Sequence, residues 1–152
     1  MRISEDEQTY KDLDWYCVDD EGCVGHFTTA GFKKIPPTVA ESAEDLKFLD
    51  EFFGQLAPVA EGHVLDEQLT PDMCTERYLQ SFVAMADRGL YSFDIETYLN
   101  PEICYFRVAI PRTPLLFMNL PGNVRQVLGR TVLKGLSLEG SSTISYAATL
   151  SI

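Results

Sequence analysis

No stretch of this sequence approaches the ~20 consecutive apolar residues that cross a bilayer, and its first twelve residues, mostly charged and polar, lack the apolar run of a secretion signal. A helical membrane span is excluded, and a soluble, cytoplasmic protein is expected. Cysteine is scarce as well: Cys17, Cys23, Cys74 and Cys104 are four in 152 residues, irregularly spaced. That excludes a disulfide scaffold, and reduced thiols are expected. Cys17 and Cys23 stand in a C-x5-C spacing outside the usual zinc pattern. The two histidines, His26 and His63, lie in no His-x-x-x-His or His-Glu-x-x-His context, so neither metal nor other cofactor is expected. The chain has no Gly-x-Ser-x-Gly elbow, since Gly140-Ser141-Ser142 reads as a turn, and no glycine-rich phosphate loop, since Gly22, Gly25 and Gly31 are scattered. No catalytic residue is therefore assigned.

What is present is material for a core. With 45% hydrophobic and 11% aromatic residues, the chain is rich enough to fold and long enough to bury most of what it exposes when unfolded. One α+β domain over residues 1–152 is expected, the first 13 residues being irregular or a frayed helix. The formal charge is −11, from 23 acidic and 12 basic side chains, but it is unevenly placed. Residues 1–76 hold 18 acidic and 5 basic groups, a net −13; residues 77–152 hold 5 and 7, a net +2. An acidic half repels phosphate backbones and anionic lipids, so nucleic acid and membrane are poor partners. A basic protein would be drawn to it.

Two apolar runs flank Asp19-Asp20-Glu21-Gly22 and predict a β-hairpin with a four-residue loop. In that register Val18 faces Cys23 and Trp15 faces His26, so Trp15, Cys17, Val24 and His26 share a face while Cys17 and Cys23 point apart. A loop with Gly31 and Pro36-Pro37 follows. The Thr38-x-x-Glu41 capping box predicts a helix with Val39, Ala43, Leu46, Leu49 and Phe53 as its buried stripe, ended by Gly54; Phe48 and Phe52 lie on the neighbouring face. A polar connection leads to a second helix from Thr70, with Pro71 in its first turn and Met73, Leu79, Phe82, Val83 and Ala86 inward, stopped by Gly89.

From there the period changes to two. Residues 91–96 and 104–110 alternate as strands, Leu115–Met118 is a short apolar run expected as a central strand, and Pro121 opens a short helix closed by Gly129. Residues 143–152 alternate as a last strand with a hydroxyl-rich face. With no regular βαβ repeat, these elements predict a mostly antiparallel sheet packed against two main helices.

Three functional readings follow. In the first, the acidic hairpin tip (Asp19, Asp20, Glu21) and the acidic first helix (Glu44, Asp45, Asp50, Glu51) form a docking surface for a basic protein. Tyr16, Phe48 and Phe52 serve as its aromatic anchors, and the carboxylates set orientation and association rate. In the second, a small-ligand binder or hydrolase uses a cleft near Trp15, His26 and the hydroxyl-rich face of the last strand. In the third, that face or an open strand edge pairs two copies into a homodimer.

The hairpin region, Asp14-Trp15-Tyr16-Cys17-Val18-Asp19, Gly22-Cys23-Val24-Gly25-His26-Phe27-Thr28, Gly31 and Pro36-Pro37, resembles the opening of small bacterial proteins similar to the immunity proteins of toxin systems. The resemblance covers about a quarter of the chain and implies a cytoplasmic inhibitor that neutralises a cognate toxin. It brings no catalytic residue with it.

Overall fold

The computed structural model describes residues 1–31, 33–96 and 103–152. The hairpin forms from β1 (Asp14–Asp19) and β2 (Val24–Thr28), but one residue out of the expected register: Val18 pairs with Val24, Tyr16 with His26 and Trp15 with Phe27. The reason lies in the loop. The Asp19 carbonyl accepts the Gly22 amide, Asp19 donates to the Cys23 carbonyl, and Gly22 takes φ +83°, the tight turn with a left-handed bulge residue that glycine allows. A one-residue slip exchanges the faces. Trp15, Cys17, Gly25 and Phe27 therefore share one face, and Tyr16, Val18, Val24 and His26 the other. Cys17 and Cys23, expected to point apart, both lie on the Trp15 side, where Cys23 is hydrogen-bonded to Tyr91.

The expected first helix is broken in two. The turn α1 (Glu5–Tyr10), with a capping box of Ser4 and Glu7, opens the chain; α2 (Pro37–Ala40) and α3 (Ala43–Gln55) follow the hairpin. Between them the backbone of Met1–Ile3 takes the Ala40 carbonyl and the Ala43 amide. The cap of α3 is accordingly Ser42, whose hydroxyl accepts the Asp45 amide, while Thr38 bonds the Thr131 hydroxyl instead of capping. Leu46, Leu49 and Phe53 are buried, Ala43 is exposed, and Gly54 lies inside the helix. The second helix is divided likewise: Pro71–Met73 is a 3-10 turn, and α4 (Glu76–Ala86) starts behind the cap Thr75 and buries Leu79, Phe82 and Ala86.

Added to these are β3 (His63–Leu65), β4 (Tyr91–Glu96), β5 (Cys104–Pro111), α5 (Gly122–Leu128), β6 (Val132–Leu133), β7 (Thr143–Ser145) and α6 (Tyr146–Thr149). All seven strands of the described residues join one sheet, in the order β3-β5-β4-β2-β1-β6, with β7 beside β5. Pairing is antiparallel except for β1 with β6 and β2 with β4. This is the expected α+β domain with a mostly antiparallel sheet. Rings from α3 (Phe53) and α4 (Phe82) meet Tyr16 and His26 on one face of the sheet. On the other face Trp15 stacks on Phe27 at 4.4 Å and Phe27 on Phe93 at 4.6 Å, with Tyr105 edge-on. This aromatic column explains Gly25, where an added Cβ would lie 2.9 Å from the Phe27 ring.

Two expected strands are absent. Leu115–Met118 is a loop and 3-10 turn, tied to the Gly89 carbonyl and to the hairpin turn at Gly22 and Cys23; Leu116 is 44% and Met118 71% exposed. Pro114 and Pro121 bound the run, and a four-residue apolar stretch cannot be assigned by period alone. The last strand ends at Ser145, where Tyr146-Ala147-Ala148-Thr149 turns into α6. Ala-rich sequence favours that turn. Thr149 is buried and Ala148 exposed, the reverse of the expected alternation, so the hydroxyl-rich strand face is reduced to Thr143 and Ser145.

Candidate functional site

On the helix-covered face, strands β1, β2 and β4 set polar side chains side by side in two rows: Tyr16, His26 and Ser92, then Asp14, Thr28 and Asp94. His26 is fully buried. Its Nδ1 lies 2.7 Å from the Ser92 hydroxyl and its Nε2 3.0 Å from the Asp14 carboxylate. An ionised Asp14 only accepts, so Nε2 donates to it; the Ser92 hydroxyl can serve Nδ1 either way. These are the residue types of a nucleophile, base and orienter, but Ser92 and His26 are both 0% exposed. A substrate carbonyl has no path to the Ser92 oxygen, and nucleophilic catalysis needs one. What the set does here is tie three strands together through satisfied buried polar groups.

The sheet also separates the two residues of the expected cleft. Trp15 lies on the opposite face, fully buried, its indole N–H donating to the Tyr105 hydroxyl at 3.2 Å. The slipped register is the cause. Among the described residues no cleft joins Trp15 to His26.

The residues of the expected docking surface fall into three groups. Tyr16 is 2% exposed; its hydroxyl donates to Asp50 at 2.8 Å, and its ring packs on Phe53, so it is no surface anchor. Asp19 is 3% exposed and accepts the amides of Glu21, Cys23 and Leu138, which makes it the clamp of the hairpin turn. Asp20 accepts the Gly135 amide at 2.6 Å. The others carry charge outward with compensation: Glu44 meets the amino terminus, Asp45 meets Arg130, and Glu51 meets Lys47. Phe48 and Phe52 are half-buried against the core, and Glu21 is exposed. The hairpin tip and α3 thus hold acidic groups that are largely engaged within the molecule.

Carboxylates converge instead where β1 begins. Burial and then the charge of Asp14, with Asp94 beyond, hold the Asp12 carboxyl above its ordinary range, although it accepts the amides of Ala30 and Gly31. Asp50, on an exposed position of α3, is likewise raised, first by the partial burial of its carboxyl and further by Asp14 and Glu51; the Tyr16 hydrogen bond and His26 oppose this. Among the described residues no lysine or arginine forms an ion pair with Asp12, Asp14, Asp50 or Asp94. Of these four, the sequence singles out only Asp50. Asp12 precedes β1, Asp14 opens it and Asp94 lies within β4; pairing through β2 places Asp14 and Asp94 on one face, a signal legible once the pairing is known.

A carboxyl raised by folding binds its proton more tightly folded than unfolded, so it favours the folded state below its ordinary pKa and disfavours it as pH rises through the raised value. Asp50→Asn keeps an acceptor for Tyr16. The variant is therefore expected to melt above the wild type at pH 7, with the gap closing as pH falls toward the ordinary carboxyl value of 3.8. A variant that melts lower at pH 7 contradicts this.

A comparison with family models, curated proteins and solved structures finds no match to this chain. What the chain defines is an α+β domain built on a mostly antiparallel sheet.

Proposed function

We propose that the protein is an acidic protein-binding module that engages a basic partner, in the manner of an immunity-type inhibitor covering the basic groove of a toxin. The observation that carries this reading is the gathering of Asp12, Asp14, Asp50 and Asp94 at one end of the sheet, with no lysine or arginine ion pair to them among the described residues, on a chain whose first half has a net charge of −13. Such a concentration of one sign steers a complementary surface and sets its orientation. The complete burial of Ser92 and His26 favours binding over hydrolysis. Among the described residues no helix is long and apolar enough to cross a membrane.

The test is capture of a partner from the source organism by the wild type and by a variant with Asp12, Asp14, Asp50 and Asp94 changed to Asn, which keeps an acceptor at each position, at low and high salt, with melting curves to check the fold. Asp19 is left intact because it holds the hairpin turn. The expected result is a basic protein bound at low salt, with affinity reduced at least about tenfold in the variant. A partner retained unchanged by the variant overturns the reading. For the inhibitor form, co-expression with the product of the neighbouring gene should restore growth with the wild type and fail with the variant.

A further inference from the structure

Beside the carboxylate cluster lies an open groove of about 630 Å³, within the roughly 300–1,000 Å³ of clefts that hold ligands. The rings of Tyr78 and Phe106 line it together with Asp72, Asp94 and Glu96, and among the described lining residues Lys33 is the only cation. Asp94 is fixed there: its Oδ1 accepts the Thr28 hydroxyl at 2.8 Å and the Ile95 amide, and its Oδ2 accepts the Tyr78 hydroxyl at 2.7 Å. These bonds join α4 to the sheet and hold the aromatic and acidic walls at a set distance. Asp12 stands behind the Ala30–Gly31 wall, near enough to Asp94 to feel its charge.

The chemistry of these walls selects an occupant. Among the described lining residues carboxylates outnumber the Lys33 ammonium, which disfavours an anion. A neutral apolar group would strip water from those carboxylates without replacing its hydrogen bonds. A guanidinium satisfies both walls: its plane stacks on aromatic rings, and its N–H groups bond carboxylates in pairs. We infer that this groove receives an arginine side chain from an exposed basic segment of the partner protein. The inference rests on the acidic-binding reading above and assigns it a place: the face between α4 and the end of β4.

The test uses an N-acetylated, C-amidated peptide of alternating glycine and arginine, and the same peptide with citrulline, titrated into the full chain by NMR and calorimetry. Three proteins are compared: the wild type, Asp72→Asn with Glu96→Gln at the groove, and Asp20→Asn with Glu21→Gln at the hairpin tip. All the changed side chains except that of Glu96 are exposed, and melting curves of both doubles check the fold. The arginine peptide should shift the amides of Tyr78 and Ile95. Its affinity should fall at least about tenfold in the groove double and stay unchanged in the hairpin double, and the citrulline peptide should not bind. Equal weakening by the two doubles, or shifts confined to the hairpin, overturns the groove and leaves the acidic-binding reading standing. Groove binding by the peptide, with no basic partner captured by the whole protein, overturns that reading and leaves the groove. Absence of salt-dependent peptide binding overturns both.

Discussion

Asp19→Ala should lower the unfolding free energy by about 3–5 kcal/mol, because its buried carboxylate accepts three backbone amides whose bonds to a charged acceptor are each worth about 1.5–3 kcal/mol. The bonds are those from Glu21 at 3.0 Å, Cys23 at 2.9 Å and Leu138 at 2.9 Å. Alanine leaves all three donors unmatched, two of them in the turn that sets the β1–β2 register and the third in the 133–143 connection packed over Gly25. Water reaches the exposed Glu21 and offsets part of the loss, so the sum of three bonds is an upper bound. Asp19→Asn separates the contributions. Its amide oxygen can keep Glu21 and Cys23, while its NH2 faces the Leu138 N–H, donor against donor, so it should lose about half as much. Urea unfolding of the three proteins measures this. A loss below about 1 kcal/mol in the alanine variant would show that water replaces the carboxylate and that Asp19 is not the clamp. A second readout lies nearby: the Cys23 thiol is pushed up to about 11, by burial first and by Asp19 next, so alanine at 19 should make Cys23 react with iodoacetamide at lower pH.

Phe27→Ala should be as damaging, at about 3–5 kcal/mol for a fully buried aromatic reduced to a methyl. Phe27 is 0% exposed and is the middle ring of the column: it stacks on Trp15 with planes 14° apart and on Phe93 with planes 5° apart, and meets Tyr105 edge-on at 5.0 Å. Such pairs add roughly 0.5–1.5 kcal/mol beyond burial. Truncation also removes the support of Trp15, whose position against Tyr105 depends on the Phe27 ring. Trp15 is the single tryptophan, so its emission in the folded variant should move to the red. Phe27→Leu fills most of the volume without the ring and should lose less than half as much. An alanine variant that unfolds within about 1 kcal/mol of the wild type would contradict the central place of this ring.

Neither residue's importance is visible in the sequence alone. Asp19 reads there as one of three acids at an exposed tip, and only the Leu138 amide, 119 positions away, shows that it points inward. Phe27 reads as an ordinary strand residue, and one register step decides whether it stands opposite Trp15 or opposite Asp14. The helical periods at Leu46, Leu49 and Phe53 and at Leu79, Phe82 and Ala86 are local properties, and they match the buried stripes. The cap expected at Thr38 is displaced: with Met1–Ile3 on the backbone beside Ala40 and Ala43, Ser42 is the side chain placed to cap α3.

The amino-acid sequence by itself determined the fold class, the apolar faces of the two main helices, the hairpin's existence and the confinement of acidity to the first half, because each depends on neighbours within a few positions or on composition. The tertiary structure decided the register of the hairpin, the fate of the 115–118 and 146–152 segments, and which carboxylates converge. These depend on contacts between residues far apart in the chain: the Leu138 amide on Asp19 at the hairpin turn, the Leu115 and Phe117 amides on the carbonyls of Gly89 and Gly22, and strand pairing that sets Asp14 beside Thr28 and Asp94. The net charge is written in the residues, but the end of the molecule at which it gathers is set by how the sheet is paired.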